Sequence, residues 1–244
     1  MKIDISIISA TFNSAKTIRT ALESVKNQTF DSWECIVVDG ASKDNTIEIV
    51  KEFENKDSRF RHISEPDNGI YDAFNKGWKM ARGTWIYYLG SDDYIFSDGL
   101  KGLYENQVKA DILYGDMTYE TGIKRKTKKS ISEKQLIGNM PCHQSMIMKK
   151  SLIERLNGFD MHRFKICADF DLFQRALRGG SRVQHVITFV ACFNSQGASS
   201  GIKTYMKECF IIKKENKGII FALNYIIRVT IKRIIKRFII IMFK

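Results

Sequence analysis

Two adjacent carboxylates, Asp92 and Asp93, follow an apolar run at residues 85–89 and the pair Gly90-Ser91. The run is short and rich in aromatic residues, which is typical of a buried strand, so the carboxylates are predicted to lie just past its carboxyl end. Ligands of open α/β sheets bind at that end of the strands, where oxygen ligands suit a hard divalent cation. Asp-Asp is also common as a helix cap or in a turn, and that alternative stays open here.

Predicted strands and helices alternate around this pair. Strands are predicted at 3–10, 33–38, 60–64 and 85–89, with helices between them at 15–27, 45–54 and 70–81. This alternation predicts an α/β fold with a Rossmann-like, mostly parallel central sheet flanked by helices. Further polar residues, Thr11, Asn13, Asp39 and Asp67, are predicted at the same rim. They favour a nucleotide-binding crevice, although Asp39 could instead cap the helix that follows it.

Several classes of protein are excluded by what the chain lacks. The turn after the first strand has no glycine, so the GxGxxG fingerprint of dehydrogenases is absent, and no GxxxxGK[ST] loop occurs. The five cysteines are odd in number and show no CxxC spacing, which argues against a disulfide framework or a zinc site. The N-terminus enters a predicted strand without an apolar leader, so we expect a cytoplasmic protein.

Four ordered segments carry a resemblance to a known family. They are residues 5–13 (ISIISATFN), 34–46 (ECIVVDGASKDNT), 65–77 (EPDNGIYDAFNKG) and 89–93 (LGSDD). In this order and spacing they resemble family-2 glycosyltransferases of the GT-A fold, notably bacterial enzymes of O-antigen, capsule or exopolysaccharide biosynthesis. The resemblance covers about residues 3–200.

The resemblance implies a nucleotide-sugar donor, UDP-linked by analogy, bound by the first half of the chain. It implies that Thr11 and Asn13 line the nucleoside pocket and that Asp39 accepts a hydrogen bond from a base ring N–H. By the same resemblance, Asp67 and Asn75 lie near the ribose, the diphosphate or the donor sugar.

Residues 91–93 resemble the family's DxD-type element. The resemblance implies that Asp92 lies near the ribose and sugar, and that Asp93 binds Mn²⁺ or Mg²⁺ through the donor diphosphate. A nucleoside diphosphate leaves with added negative charge, which a divalent cation neutralises as a Lewis acid.

The resemblance also implies a general base, Asp169, at the start of a predicted helix. Inverting members of the family carry an acidic pair there, and this chain departs from them because Ala168 occupies the first position. The alternative is that Asp169 only stabilises the helix dipole. Asp171 is predicted to be structural, because it cannot share the same helix face as Asp169.

Three other features could touch substrate. His143 lies beside Pro141 in a predicted loop before a strand, and it is either a substrate ligand or a buried structural histidine. Ser199 lies in a small polar segment that is either a lid or a linker. The basic run at 124–129 is either a solvated face or a contact to a phosphorylated acceptor.

The end of the chain is basic and amphipathic. The formal net charge is +12, and residues 213–244 hold nine lysines and arginines against one glutamate. Helices are predicted at 202–216 and 219–243, on either side of Gly218, with no uncharged apolar run long enough to span a bilayer. Basic residues at helical spacing predict that the tail lies on an anionic membrane surface, with a partner helix or core packing as alternatives and nucleic acid disfavoured.

The predicted organisation is a glycosyltransferase domain at 1–200 and a helical tail at 201–244. Within the domain, 1–95 would bind the nucleotide-sugar and 96–200 the acceptor. The predicted function is metal-dependent, inverting and non-processive transfer of one hexosyl or N-acetylhexosaminyl group. The predicted acceptor is a polyprenyl-diphosphate-linked saccharide at the inner face of the cell membrane. The alternative is a non-catalytic nucleotide-sugar or glycan-binding module.

Overall fold

The structure is a computed structural model that describes residues 2–106, 109–121, 124–128, 131–194 and 202–242. Its strands are β1 (Ile5–Thr11), β2 (Trp33–Asp39), β3 (Phe60–Ser64), β4 (Trp85–Gly90), β5 (Tyr94–Ile95), β6 (Ile112–Thr121), β7 (Lys124–Lys128), β8 (Met146–Lys149) and β9 (Val183–Asn194). Its helices are α1 (Ile18–Lys26), α2 (Thr46–Lys56), α3 (Ile70–Met80), α4 (Gly99–Tyr104), α5 (Lys150–Arg155), α6 (Ala168–Arg178) and α7 (Ile202–Met242).

One mixed sheet organises the described part of the chain. Its strand order is β3-β2-β1-β4-β8-β6-β9-β5, with β7 paired to β6 as a hairpin. Strands β1 to β4 are parallel, β8 is antiparallel between β4 and β6, and β9 is parallel to β6. The predicted α/β fold with a mostly parallel sheet is therefore confirmed.

Helices cover both faces of the sheet, which explains why β2 is buried along its whole length. One face packs against α1 and α4 through Ile18, Leu22, Val25, Leu100 and Leu103. The other packs against α3 and α6 through Phe74, Trp78, Phe170 and Phe173. Because the helices hold the sheet on both sides, the loops at the carboxyl ends of β1, β2 and β4 stand on a rigid base.

The C-terminal helix α7 is broken at Gly218, whose φ is 81°. Before the break, Glu208 is 4% exposed and accepts hydrogen bonds from the backbone N–H groups of Lys165, Ile166 and Cys167. The first half of α7 therefore anchors the loop that leads into α6. Within the described residues, no helix combines the length and apolarity needed to cross a membrane.

Strand β9 was not among the predicted elements. Its pairing with β6 shifts register between Tyr114 and Met117, which interrupts the regular alternation of buried and exposed residues. Ile187 is 93% exposed and Phe189 is 46% exposed, while Val190 and Ala191 are both fully buried. Strand β9 therefore lacks the regular alternation of buried and exposed residues by which a strand is predicted from sequence. Its partner β6 lies about 70 residues away in the sequence.

Candidate active site

The carboxylate pair lies at the carboxyl end of β4, as predicted. A Cβ atom placed on Gly90 would lie 2.5 Å from Oδ2 of Asp93 and 3.2 Å from Oδ1 of Asp92, so both carboxylates fold back over this glycine. Asp93 is 2% exposed, and Asp92 is partly buried. The residue at the N-terminus of α4 is Asp98, so neither member of the pair caps that helix. This excludes the capping alternative.

The pair fits a divalent cation. Within the described ranges, no cluster of three or more histidine, cysteine or acidic side chains is arranged to bind a metal. A cation held by two carboxylates would complete its oxygen shell with diphosphate and water, which is how Mg²⁺ and similar ions bind at nucleotide sites. Burial raises the pKa of Asp92, and a cation beside this carboxyl group would offset the cost of desolvation.

The close approach at Gly90 yields a prediction. Gly90→Ala is expected to leave the fold intact, because the added methyl group meets movable side-chain ends, but to displace the carboxylates of Asp92 and Asp93. Transfer activity should fall at least about 10-fold, since catalytic groups tolerate displacements of only fractions of an ångström. Initial rates at saturating Mn²⁺ and an unfolding curve would check this. An alanine variant with wild-type activity would show that the carboxylates need not converge there.

The loops after β1 and β2 are tied to each other. Asn13, at φ 50°, accepts the N–H of Lys43 at 2.8 Å on its side-chain oxygen, and its own N–H donates to Oγ of Ser42 at 2.7 Å. Thr11 is 5% exposed, and its hydroxyl finds no hydrogen-bond partner among the described residues. Thr11 therefore offers an unused hydroxyl at the rim, while Asn13 fixes the shape of the loops.

Asp39 is fully buried and is bonded within the protein. Its Oδ2 accepts hydrogen bonds from Ser64 Oγ at 2.6 Å and from the N–H of Ser42 at 2.9 Å, and Oδ1 accepts one from Ser42 Oγ. It does not cap α2, whose N-terminal residue is Asn45. Ser42 and Ser64 thus hold the carboxylate of Asp39 in place, and its predicted bond to a base N–H stays a prediction.

An exposed aromatic ring that the sequence analysis missed lies beside this pocket. Phe12 is 61% exposed. A Cβ atom on Gly40 would lie 3.4 Å from Cδ2 of Phe12 and 2.7 Å from Oδ2 of Asp67, so these residues meet at one spot. A large apolar side chain in a loop at the strand end was the available signal. Such a ring offers a stacking surface to a nucleotide base.

Asn75 holds the chain at Phe159. Its Nδ2 donates to the carbonyl oxygen of Phe159 at 2.9 Å, and its Oδ1 accepts from the N–H of Phe159 at 3.0 Å and from Nε1 of Trp78 at 2.9 Å. These bonds fix the chain between α5 and α6. The predicted contact of Asn75 with the donor stays a prediction.

Asp169 lies in the first turn of α6, with 20% of its side chain exposed. Its Oδ1 accepts hydrogen bonds from the hydroxyl of Tyr71 at 2.9 Å and from the N–H of Phe170 at 2.8 Å. The preceding residue, Ala168, is fully buried in the core, so its side chain could not reach a substrate. The departure from the family pattern at this position therefore leaves one carboxylate, Asp169, at the entrance to α6.

His143 links β4 to this carboxylate. Its ring stacks on Tyr88 with centroids 5.0 Å apart, and its Nδ1 lies 4.0 Å from Oδ2 of Asp169. Burial lowers the pKa of His143, although the charge of Asp169 partly opposes this effect. A neutral imidazole beside Asp169 can position a substrate hydroxyl without forming an ion pair with the carboxylate.

The neighbours of Asp169 in α6 are scaffold residues. Asp171 is 1% exposed and forms a 2.7 Å ion pair with Arg175. Gln174 is fully buried and donates to the carbonyl oxygens of Leu136 and Asn139. These contacts agree with the structural role predicted for Asp171.

Two predicted contacts have no structural account. Ser199 lies outside the described residues. The backbone of the basic run at 124–128 forms β7, but the side chains of this run are also outside the described part. Both remain predictions.

Comparison with known proteins decides the family. The family model described as Glycosyl transferase family 2 matches residues 6–168. The chain belongs to glycosyltransferase family 2. A PGL/p-HBAD biosynthesis glycosyltransferase of Mycobacterium tuberculosis is 30% identical to it over 203 residues, which are 80% of this chain and 78% of that protein.

Solved structures support the GT-A fold of this glycosyltransferase. Residues 1–349 of S. aureus TarS superpose with a TM-score of 0.71 at 22% identity, covering 86% of this chain and 64% of that one. TarS has also been solved with UDP-GlcNAc. The mannosyltransferase PcManGT from Pyrobaculum calidifontis, solved with GDP-Man and Mn²⁺, gives a TM-score of 0.64 at 16% identity, covering 93% of this chain and 65% of that one. This chain thus spans just under two thirds of each structure.

Proposed function

We propose that this glycosyltransferase transfers one sugar from a UDP-sugar, with inversion and a divalent cation, to a lipid-linked saccharide. The observation that carries the proposal is a carboxylate pair, Asp92 and Asp93, at the end of β4, and a separate carboxylate, Asp169, beside His143, whose ring stacks on Tyr88 of the same strand. The crystal structure of TarS with UDP-GlcNAc, a protein of the same fold, supports UDP as the nucleotide. We assign the hexosyl or N-acetylhexosaminyl class without choosing a sugar.

The reaction is a single displacement. Asp169 removes the proton from an acceptor hydroxyl. The oxygen of that hydroxyl attacks the anomeric carbon, and the bond from this carbon to the diphosphate oxygen breaks. His143, neutral and 4.0 Å from Asp169, is placed to orient the same hydroxyl. Because attack and departure occur on opposite faces of the sugar, the anomeric configuration inverts.

Mn²⁺ or Mg²⁺ bound by Asp93, with Asp92 beside it, would neutralise the negative charge that develops on the departing UDP. The unused hydroxyl of Thr11 and the ring of Phe12 suit the nucleoside, and Asp67 beside Gly40 suits the ribose or the donor sugar. Asn13 contributes by holding the loop that carries Phe12. The first strands thus bind the donor, and the elements after residue 96 supply the base and the acceptor side.

A donor and acceptor screen tests this proposal. UDP-glucose, UDP-galactose, UDP-GlcNAc and UDP-GalNAc are incubated with Mn²⁺ and a set of polyprenyl-diphosphate-linked saccharides. We expect one donor to give a product heavier by one sugar, with inverted anomeric configuration by NMR and no further additions. A retained configuration would contradict the role of Asp169. Binding of all donors without any turnover would favour the alternative of a non-catalytic binding module.

The second half of α7 supports a membrane role for the enzyme. Beyond Gly218 an exposed apolar stripe, formed by Ile220, Leu223, Ile227 and Ile231, runs along one face of the helix. The exposed fractions of these side chains are between 48% and 75%. The five basic residues of this segment are Arg228, Lys232, Arg233, Lys236 and Arg237. We propose that this segment lies on an anionic membrane surface, and that the enzyme is peripheral on the cytoplasmic face.

Vesicle binding is the expected consequence. Each basic residue near an anionic surface contributes about 1 kcal/mol, so changing all five to glutamine should release the protein from anionic vesicles at moderate salt. Replacing Ile220, Leu223 and Ile227 by asparagine should weaken binding at every salt concentration, because apolar insertion is lost. Ile187→Asn, which changes an exposed isoleucine in β9, is the matched control. Equal co-sedimentation of all four proteins with anionic and neutral vesicles would contradict the proposal.

A further inference from the structure

Tyr71 joins the donor side of the crevice to the proposed base. It is the second residue of α3, which begins directly after Asp67-Asn68-Gly69, and it is 7% exposed. Its ring stacks on Phe159 with centroids 5.4 Å apart. Its hydroxyl oxygen lies 2.6 Å from the carbonyl oxygen of Ile166 and 2.9 Å from Oδ1 of Asp169. The ring packing therefore holds one O–H group between two acceptors.

A tyrosine hydroxyl carries one proton, so it can donate to only one of these acceptors at a time. An ionised Asp169 is the stronger acceptor, because hydrogen bonds to charged groups exceed those to neutral ones. A protonated Asp169 is no longer the stronger acceptor, and the hydroxyl of Tyr71 then donates to the carbonyl oxygen of Ile166. The hydroxyl thus has one partner for each protonation state of Asp169.

The two oxygens of Asp169 are not equivalent. Oδ1 accepts from both Tyr71 and the N–H of Phe170, which occupies its lone pairs. Among the described residues Oδ2 accepts no hydrogen bond, and Nδ1 of His143 lies 4.0 Å away from it. Oδ2 is therefore the oxygen available to receive a proton from substrate.

We propose that Tyr71 is the positioning residue of the base: it holds Oδ1 of ionised Asp169, leaves Oδ2 to take the acceptor proton, and turns its O–H to Ile166 once that proton has moved. This inference rests on the proposed function, in which Asp169 is the general base. Tyr71 also connects the loop that carries Asp67 to Asp169 through the first turn of α3. The donor side of the crevice and the proposed base therefore meet at this residue.

Four titratable groups face Asp169 or the loop before it. Tyr71 approaches from α3 and His143 from the turn before β8, while Cys167 lies on the loop itself. Glu208 of α7 lies beneath, bonded to the loop backbone. Burial and the neighbouring Asp169 raise the pKa of Tyr71 well above its usual value, so this hydroxyl keeps its proton throughout the working pH range.

Tyr71→Phe tests the proposal, because it keeps the stacked ring and removes only the hydroxyl. The ionised form of Asp169 loses a donor, so the pKa of Asp169 should rise by about one unit. Titration of ¹³C-carboxyl-labelled protein by NMR measures this pKa, and Asp169→Asn identifies the resonance. With UDP-GlcNAc and Mn²⁺ as the probe, the acidic limb of the pH dependence of UDP release should move upward by the same amount, with KM for the donor unchanged.

Tyr88→Phe is the matched control. Its hydroxyl is buried without a hydrogen-bond partner in the described residues, and its ring packs against Phe159 at 5.1 Å in the same aromatic cluster. We expect this change to leave the pKa of Asp169 where it is in the wild type. An unshifted pKa in Tyr71→Phe, or equal shifts in both variants, would overturn the inference. Full transfer activity in Asp169→Asn would instead overturn the assignment of the base itself.

Discussion

Asp93→Asn is expected to abolish sugar transfer and to remove the dependence of donor binding on Mn²⁺ or Mg²⁺. The carboxylate is 2% exposed and converges with Asp92 over Gly90, so its loss would leave Asp92 as the one carboxylate of the pair. Loss of one group that stabilises the departing charge typically costs about 100- to 1,000-fold in rate. Initial rates of UDP release, together with calorimetric titration of UDP with and without Mn²⁺, measure both effects.

Asp98→Asn is the matched control for this change. Asp98 lies at the N-terminus of α4 and accepts a hydrogen bond from the hydroxyl of Thr29, outside the crevice. The change should cost little stability, since the side chain of Asp98 forms no capping hydrogen bond to α4 and asparagine can still accept from Thr29, while transfer per folded molecule stays near wild type. Full activity of Asp93→Asn in excess EDTA would show that the carboxylate pair does not bind a catalytic metal.

Asp169→Asn is expected to lower transfer by about 100-fold or more, the usual contribution of a general base. Binding of the UDP-sugar should change little, because Asp169 lies on α6 and is joined to the donor side of the crevice through Tyr71. The asparagine keeps the shape of the side chain and can still accept hydrogen bonds on one oxygen. Single-turnover rates and donor titrations separate the two effects.

Asp171→Asn provides the comparison two residues away. Asp171 is buried against Arg175, so removing its charge should lower the unfolding temperature. Transfer per folded molecule should fall much less than in Asp169→Asn. If Asp171→Asn were the less active of the two folded proteins, the choice of base within α6 would be wrong.

The parallel half of the fold could be predicted because its signals are local. Strands β1, β2 and β4 are short apolar runs buried on both faces, and the helices between them have one apolar face. The family motifs lie at their carboxyl ends, so Asp92 and Asp93 could be placed at the rim before any geometry was known. The break in α7 at Gly218 was predicted for the same reason, since a glycine inside a helical pattern marks an interruption.

The remainder depends on contacts between distant residues. Strand β9 pairs irregularly with β6, so its pattern does not show the usual period of two. The motif that contains Asn75 could not show that its amide holds Phe159, 84 positions away. Tyr71 and Phe12 looked like ordinary apolar residues, and only the fold shows one bonded to Asp169 and the other exposed at the rim.

Thermal unfolding with UDP and Mn²⁺ tests whether the end of β4 holds a metal-dependent UDP-sugar site. We expect UDP alone to raise the unfolding temperature little, and UDP with Mn²⁺ to raise it by several degrees in the wild type but not in Asp93→Asn. A ligand at about 100 times its dissociation constant adds about 2.7 kcal/mol to the free energy of unfolding, which such a measurement detects easily. An equal shift with UDP in EDTA, or no shift under any of these conditions, would contradict a metal-dependent UDP-sugar site at the end of β4.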